Sequence, residues 1–379
     1  MSTITADRSV VESPGTGDPN LYSLKTLPDP QYDQHPAYGK CFPPPTLGTR
    51  VQALKKLLPW VGVVIFKRAM LMDRIPALPA YKGHIQGGIV GRVKALPRYV
   101  PYIFKAVGQN LAGLFKSQAP NIEPKDKEQV DSFLKTGFAT SNLEPQELQH
   151  IQDLVAKPLD DLLEKRAAMQ ERTFVGNTRF FNSGDDAALF EAMNVYLEKH
   201  GMLAAASAYI GRPTKLTHLL IQVNDPKDSF YHGRFKDIGL PDQKTNYIHV
   251  DTSYDMVKCV VYLNEVGDEN GPFSFILGSH KARPIGLDGV IRRAMDRSNL
   301  SNHSPELRKL FMALPKSFRR KFTFGADILD GTPESGALLE AEYFFKSSDG
   351  NMGLFANNGI HRGGLTKSGE RRVLFGVIA

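Results

Sequence analysis

The sequence has little cysteine and lacks long hydrophobic runs. Its 379 residues include two cysteines, Cys41 and Cys259, far apart in the chain. Cys259 lies in an apolar run, where a thiol usually packs as a small hydrophobe, so no disulfide framework is expected. Within residues 50–118 the longest uncharged runs, such as Leu57 to Phe66, have ten residues, whereas a membrane-spanning helix needs about 20. Residues 1–20 lack the basic start and apolar core of a secretory signal, so we expect a cytoplasmic protein, with peripheral membrane contact as an open possibility.

The charge of the chain is unevenly distributed. Hydrophobic residues make up 41% and charged residues 23% of the sequence, as in ordinary globular proteins. The net charge is +7, but residues 50–116 contain twelve lysines and arginines against Asp73 alone. That segment therefore carries about +11 and the remainder about −4. The length fits one catalytic domain with an N-terminal extension.

The N-terminal third differs in composition from the rest. Residues 1–49 are rich in proline, glycine, aspartate and serine and predict an irregular arm. Residues 50–122 combine basic and apolar positions and predict an amphipathic helical extension. We expect this extension to pack on the catalytic domain and to expose its lysines. Weak contact of residues 50–116 with a membrane surface is a second role left open. The basic charge is not accompanied by a nucleic-acid-recognition motif, so nucleic acid is not expected as a partner. The oligomeric state is left open.

The middle of the chain predicts two helices. From Pro145 to Arg166, apolar residues recur at steps of three and four, as an amphipathic helix requires. Pro158 is a candidate interruption of this helix. Asp185 and Asp186 then predict the acidic start of a second helix that ends before Gly201. These helices would brace one sheet.

After Ala204 the pattern changes to short apolar segments separated by turn residues, which predicts a mainly β fold such as a sandwich or jelly roll. The predicted strands cover residues 216–223, 246–251, 256–263, 273–277, 352–356 and 371–378. An insertion of about 70 residues, 281–351, interrupts them and contains a predicted helix over 305–321. Long insertions of this kind are usually lids or binding loops. Residues 281–321 hold eleven basic residues against three acids, which is equally typical of a solvated helix.

A short motif in the second half of the chain predicts a metal site. His249 and Asp251 are two residues apart in a predicted strand, so their side chains point to one face. Two histidines and one carboxylate form the facial triad of non-haem Fe(II) oxygenases, which leaves metal positions open. His361, after a later strand, is the candidate third ligand.

Two arginines follow His361 at a suggestive spacing. Arg371 lies ten and Arg372 eleven residues after it, at the start of the final strand. An arginine can bind a carboxylate through two parallel hydrogen bonds and stays charged, so either residue suits a dicarboxylate co-substrate. Adjacent strand residues face opposite ways, so only one can point inward. Spacing favours Arg372, whereas the small residue two positions later favours Arg371; we keep both and lean towards Arg371.

Several ordered motifs resemble the phytanoyl-CoA dioxygenase-like branch of the Fe(II)/2-oxoglutarate-dependent oxygenases. They are Phe133-Leu134-Lys135-Thr136-Gly137-Phe138 with the helix start Glu144-Pro145-Gln146-Glu147-Leu148, His249-Val250-Asp251, Glu269-Asn270-Gly271-Pro272-Phe273 with Gly278-Ser279-His280-Lys281, and the late histidine–arginine pair. The resemblance covers roughly residues 123–379. It implies a double-stranded β-helix, that is, a cupin-like jelly roll, braced by helices.

The resemblance also implies a chemistry. His249, Asp251 and His361 would bind Fe(II), with 2-oxoglutarate and O2 as co-substrates and a largely apolar small molecule or lipid-like compound as substrate. Related halogenases have glycine or alanine in place of the carboxylate, so Asp251 favours hydroxylation or another non-halogenating oxidation. The family often has glutamine where this chain has Val250, and Thr252, Tyr247 and Asn264 are candidates for the missing hydrogen bond to the co-substrate.

A second hypothesis for the function of the protein belongs to a different class. A jelly roll can keep its metal site as a structural or sensing element and act as a docking module without catalysis. A complete triad followed by an arginine favours the enzyme.

Overall fold

A computed structural model describes most of the catalytic region and one N-terminal helix. The described ranges are 44–69, 122–170, 175–227, 247–251, 256–281, 287–298, 305–315 and 330–379, together with the single residues or pairs 104, 108, 239, 244–245 and 317–318. The predicted arm lies outside them except for its last residues. So do residues 70–121, apart from two single positions, and Thr252.

Two antiparallel sheets form the centre of the molecule. The strands are β1 (Phe138–Ser141), β2 (Thr178–Phe181), β3 (Leu216–Asn224), β4 (Val257–Tyr262), β5 (Phe273–Ile276), β6 (Glu342–Phe345), β7 (Met352–Ala356), β8 (His361–Gly363) and β9 (Arg371–Ile378). The larger sheet has the order β1-β7-β4-β9-β3-β2, and the smaller one β6-β5-β8. From β4 onwards the chain passes repeatedly between the two sheets, which is the path of a double-stranded β-helix and confirms the predicted jelly roll.

The two faces of the larger sheet bury different residues. Val373 and Phe355 point towards the smaller sheet and join an aromatic core between the sheets. Leu374 and Leu354, their neighbours in sequence, lie in a second core against helices. This alternation is the period of two expected for strands buried on both faces. It explains why β4, β7 and β9 read as nearly continuous apolar runs.

Helices cover the outer face of the larger sheet. They are α2 (Lys127–Thr136), α3 (Pro145–Ala167), α4 (Ala187–Lys199) and α5 (Met202–Ile210). In α3, the Glu147 side chain accepts a hydrogen bond from the Glu144 backbone N–H at 2.9 Å. With Pro145 in the first turn, this fixes the predicted start, and Pro158 does not interrupt the helix.

The first predicted strand, 216–223, matches β3, and the residues just before it form a helix that was not predicted. Gly201 and Gly211 adopt positive φ at the two ends of α5, at 71° and 83°, so the chain reverses at Gly201 and continues as a helix. The alanine-rich sequence of α5 is a strong helix former. The change to strands comes only at Leu216.

A third apolar core joins the N-terminal extension to the insertion. It contains α1 (Leu47–Ala69), α6 (Leu287–Ser298) and α7 (Pro305–Met312). Ala53, Leu57 and Val64 of α1 are buried there against residues of α6 and α7, including Ala294 and Phe311. The described part of the extension therefore packs on the insertion helices, which belong to the predicted oxygenase domain.

The insertion also ends earlier than its predicted bounds of 281–351. A further helix, α8 (Pro333–Glu340), precedes β6, and β6 pairs with β5 from Phe273↔Phe345 to Ile276↔Glu342. The sheet thus resumes at Glu342. The predicted helix over 305–321 is shorter than expected, because α7 ends at Met312. Among the described helices, none combines the length and the apolar character needed to cross a bilayer.

Candidate metal centre

The two predicted histidine ligands lie side by side on paired backbone segments. The His249 backbone N–H donates to the His361 carbonyl at 3.0 Å, and the His361 N–H donates back to the His249 carbonyl at 2.9 Å. Within the described residues this single bridge is what remains of the strand predicted over 246–251. The Asp251 N–H donates to the Asn357 carbonyl at 3.1 Å, so the carboxylate is held against the same segment.

Backbone carbonyls fix the tautomer of both imidazoles. His249 Nδ1 lies 2.7 Å from the Tyr247 carbonyl, and His361 Nδ1 lies 2.8 Å from the Gly359 carbonyl. A carbonyl can only accept, so each Nδ1 carries a proton, and in the neutral imidazole the lone pair is then on Nε2. The Nε2 atoms lie 3.8 Å and 3.4 Å from the carboxylate oxygens of Asp251.

The arrangement has the donor set of a facial triad. One ligand atom from each of the three residues lies within 4.8 Å of the others, a spacing that lets one ion contact all three. Orientation of a ligand imidazole by a hydrogen bond at its other nitrogen is the usual support of a metal site. Tyr247 takes φ = 67°, which is rare for an aromatic residue and aims its carbonyl at His249.

The electrostatics favour a bound cation. Burial and the neighbouring His361 lower the pKa of His249 to about 3, so this imidazole is neutral at physiological pH. Burial opposes ionisation of Asp251, but Lys258 and the two histidines outweigh it and hold the pKa of the carboxyl well below its usual value. A neutral imidazole and an ionised carboxylate are the forms that bind a metal.

Lys258 contacts the triad directly. Its ammonium group forms an ion pair with Asp251 Oδ2. It shares the inner face of β4 with Val260 and Tyr262, which belong to the aromatic core between the sheets. The sequence analysis missed this residue. The available signal was that Lys258 is the only charged residue in the apolar run 256–263.

A buried ion pair holds the segment that leads into the ligands. Arg362, next to His361, donates to both carboxylate oxygens of Glu342 at 2.6 Å and 2.5 Å. Ser274 also donates to Glu342. Arg362 reaches in addition to the backbone carbonyl of Lys244. The pair therefore ties β8 and β6 to the segment before Tyr247.

Asp330 supports the same segment from the other side. Its carboxylate accepts hydrogen bonds from the backbone N–H of Lys244 at 2.6 Å and of Thr245 at 3.2 Å. The next hydrogen bond along the chain runs from the Ile248 N–H to the Thr245 carbonyl at 3.2 Å. Two acids distant in sequence, Asp330 and Glu342, thus replace the regular strand pairing that this segment lacks.

Aromatic rings enclose the inner side of His361. The ring centroids of Phe355 and Phe273 lie 4.9 Å and 5.8 Å from that of the imidazole. His361 keeps only 5% of its side chain exposed, whereas His249 and Asp251 keep 26% and 25%. The open side of the triad therefore lies on the side of His249 and Asp251.

Arg371 points into the space between the sheets. It points to the same face of β9 as Val373, which belongs to the aromatic core between the sheets, and it is 2% exposed. One guanidinium nitrogen donates to the carbonyls of Gly271 and Gly364, and another donates to Asn224 Oδ1 at 2.9 Å. These contacts fix a buried cation inside the barrel.

Arg372 lies on the opposite face. It points to the same face of β9 as Leu374, which belongs to the core between the larger sheet and the helices. Its guanidinium pairs with Glu370 at the surface, with a third of each side chain exposed. Its backbone N–H donates to Asn264 Oδ1 at 2.7 Å. The structure therefore separates the two arginines that the sequence left as alternatives, while Thr252 lies outside the described residues.

His280, in the Gly-Ser-His turn, does not belong to the triad. It is buried, and its Nε2 lies 3.1 Å from the Leu134 carbonyl at the end of α2. Gly137 ends this helix with φ = 78°, and a Cβ there would lie 2.4 Å from the His280 ring. Gly137 and His280, which both belong to the motifs that carry the resemblance, therefore pack closely against each other.

Comparisons with known proteins give only remote structural neighbours. No protein-family model matches the chain, and no curated protein matches it. A crystal structure of EctD from S. alaskensis with 2-oxoglutarate and 5-hydroxyectoine shares 14% identity, with a TM-score of 0.41 over 69% of this chain and 78% of that one. HygX from Streptomyces hygroscopicus, with nickel and 2-oxoglutarate bound, shares 16% identity, with a TM-score of 0.36 over 67% and 86%. The epimerase SnoN from nogalamycin biosynthesis shares 12% identity, with a TM-score of 0.36 over 67% and 82%. At this distance the neighbours define no family for the chain.

Proposed function

We propose that this protein is a non-haem Fe(II) oxygenase that couples oxidative decarboxylation of 2-oxoglutarate to hydroxylation, or a related oxidation, of a largely apolar small molecule or lipid-like substrate. The observation that carries the proposal is the convergence of His249 Nε2, His361 Nε2 and the Asp251 carboxylate within 4.8 Å. Two imidazoles and one carboxylate on one side of an ion leave the opposite positions open for a co-substrate and oxygen.

The three triad residues would hold the iron, and each has a distinct support. The Tyr247 and Gly359 carbonyls orient the imidazoles, and the bridge between the two histidine backbones keeps their spacing. When bound, iron supplies the oxygen activation that protein side chains lack. The protein's own part is to keep both Nε2 atoms unprotonated and the carboxylate ionised.

Arg371 is the group proposed to bind the distal carboxylate of 2-oxoglutarate. Its guanidinium is buried on the inner face of the larger sheet and is held by Asn224 and two backbone carbonyls. A fixed, permanently charged fork in a low-dielectric space binds a carboxylate strongly. Overall, one oxygen atom enters the substrate and the other enters succinate, and carbon dioxide leaves.

The apolar substrate class rests on the resemblance to the phytanoyl-CoA dioxygenase-like oxygenases. Ile248 and Ile360, each next to a ligand, are buried in a small apolar cluster with Ile276 and Leu338. Val250, the residue between His249 and Asp251, packs at the edge of that cluster. Neighbouring residues of an extended segment face opposite ways, so this cluster packs behind the ligands and does not line the site.

The alternative function is a metal-binding jelly roll that acts as a docking or sensing module without turnover. One assay distinguishes the two functions. Purified protein is incubated with Fe(II), 2-oxoglutarate and O2, and the succinate formed is measured. We expect succinate formation that stops when iron is chelated. Acyl thioesters, terpenoids, free acids and polar amino acids should then be compared for stimulation of turnover. Tight metal binding without succinate under any of these conditions would favour the docking module, and stimulation by polar amino acids alone would contradict the apolar substrate.

We further propose weak contact of α1 with an anionic membrane surface. Leu47, Val51, Leu58 and Ile65 recur on one side of the helix and are 79%, 42%, 54% and 51% exposed. Basic side chains flank this stripe, because Arg50 and Lys55 are exposed on α1 as well. An apolar stripe with basic flanks matches the interface of a bilayer that contains anionic lipids, which is where a lipid-like substrate would be found.

A further inference from the structure

Lys258 brings a second positive charge to the candidate metal centre. Its ammonium contacts Asp251 Oδ2, and the same oxygen lies 3.4 Å from His361 Nε2. The Lys258 side chain is 28% exposed, so it is neither sealed in the core nor free at the surface. It reaches the triad from β4, the central strand that also pairs with β9.

A lysine at this place competes with a metal for one carboxylate. Asp251 supplies the single negative charge of the triad, and Lys258 already neutralises it. A divalent ion that binds Asp251 adds two positive charges beside the ammonium, and the two cations then repel each other. Lysine has a flexible stem and three donors on a point charge, so it can turn to another acceptor without breaking a planar two-bond geometry.

We propose that Lys258 is a switching counter-ion: it pairs with Asp251 in the metal-free protein and, once a divalent metal occupies the triad, binds the metal-proximal carboxylate of the anionic co-substrate. The second half rests on the function proposed above, because it takes a 2-oxo acid as the ligand. In this arrangement the two carboxylates of the co-substrate meet two different cations. Arg371 is fixed by Asn224 at the far end, and Lys258 lies beside the metal.

The charge balance supports the first half of the proposal, the pairing of Lys258 with Asp251 in the metal-free protein. With the metal and a dicarboxylate bound, the ion and the ligand cancel each other, and Asp251, Lys258 and Arg371 leave one net positive charge. Removal of Lys258 would leave the loaded site neutral and the metal-free site with an uncompensated buried carboxylate. Because a buried charge without a partner is costly, the metal-free protein should depend on Lys258 more than the loaded protein does.

The test is a pair of binding measurements that should move in opposite directions. In the full-length Lys258→Met variant, Co(II) should bind about 10-fold more tightly, because a competing charge-assisted hydrogen bond is gone. Binding of 2-oxoglutarate to the Co(II)-loaded variant should be weaker by about 10-fold for the same reason. Lys258→Arg should keep most of the co-substrate affinity. Titration calorimetry gives both constants, and the visible absorption of Co(II) reports whether the ion occupies the site.

The matched control is Lys227→Met, which removes an exposed lysine from the turn after β3 and should change neither constant. A Lys258 side chain that merely orients Asp251 would weaken metal and co-substrate binding together in the variant, and that result would overturn the proposal. Unchanged constants would overturn it as well. Failure of the wild-type Co(II) protein to bind 2-oxoglutarate would refute the proposed function and the second half of this proposal. Tighter Co(II) binding by the variant would still support the counter-ion half.

Discussion

The core between the two sheets and the helical core of α1, α6 and α7 are built from the same kinds of apolar residue but differ in what they present. In the first, charged side chains point inward from the larger sheet: Lys258 contacts Asp251 of the triad, and Arg371 is buried. In the second, α1, α6 and α7 pack through apolar side chains, with Leu57 and Phe311 fully buried, and the buried hydroxyl of Ser298 donates to its own helix. The first core has the groups for chemistry, whereas the second fixes a helix whose outer side stays exposed.

The difference follows from the two kinds of secondary structure. Antiparallel pairing satisfies the backbone along the whole of β3, β4 and β9, so a sheet can hold inward charges without losing its frame. A helical cluster depends on side-chain packing alone and would be disrupted by an inward charge. Changes to the first core should therefore affect binding of ions and anions, and changes to the exposed side of the second should affect association with surfaces.

The largest expected effect is the loss of metal binding when a histidine ligand is removed. His249→Ala or His361→Ala leaves two ligand residues, and we expect Co(II) or Fe(II) affinity to fall by roughly 100-fold or more, with loss of 2-oxoglutarate turnover. Calorimetry and the metal content of purified protein measure this change. His150→Ala, which alters an imidazole on α3 that bonds Tyr196, is the control and should bind metal normally. Near-normal iron content and turnover in either ligand variant would contradict the triad.

The second-largest expected effect distinguishes Arg371 from Arg372, which lie on opposite faces of β9. Arg371→Met should weaken 2-oxoglutarate binding by about 10- to 100-fold, the value of one or two charge-assisted hydrogen bonds. Arg372→Met should change it less than about two-fold, because its partner is the exposed Glu370 and surface ion pairs contribute little. Titration of 2-oxoglutarate against both metal-loaded proteins decides the matter.

Because Arg371 also holds Gly271 and Asn224, its variant should be less stable, and circular dichroism must first establish that it is folded. Equal and small effects from both arginines would leave the co-substrate without its proposed partner. A larger effect from Arg372 would reverse the assignment.

The smallest effect concerns the exposed side of α1. The double change Leu58→Gln and Ile65→Gln should reduce binding to vesicles of anionic lipid by about 3- to 10-fold, because each side chain contributes at most about 1 kcal/mol when it is half exposed. Flotation of vesicles with and without anionic lipid, at low and high salt, measures it. Val63→Gln is the matched control, since Val63 is 38% exposed but lies on another side of the helix. If the wild-type protein does not bind anionic vesicles, α1 has a packing role only.

Much of the fold could be predicted from the sequence because the long strands carry their own signal. The runs that became β3, β4 and β9 are apolar, are bounded by turn residues, and fall within one or two residues of their predicted ends. The short strands β1, β2, β6 and β8 were not predicted. Each has three or four residues, too few for a period of two to stand out, and each depends on its partner strand.

The site was predictable where its residues follow one another and unpredictable where they meet across the fold. His249 and Asp251 form a local motif, and His361 follows an apolar run at a recognisable distance from the arginines. Glu342 and Asp330 act through contacts with segments far away in sequence, which the spacing of motifs does not predict. Lys258 lies only seven residues from Asp251, but a single lysine in an apolar run does not reveal its partner. The choice between Arg371 and Arg372 needed the register of β9, because one residue of shift exchanges the two faces.

The pairing of α1 with the insertion has a consequence for synthesis on the ribosome. Leu57 and Val290, which belong to the same apolar core, are 233 residues apart. At about 5–20 residues per second, α1 leaves the ribosome roughly 10–50 s before α6 exists to cover it. Its buried face and its exposed stripe are then both open to solvent. We expect this interval, rather than the pairing of the late strands, to be when the nascent chain most needs a chaperone.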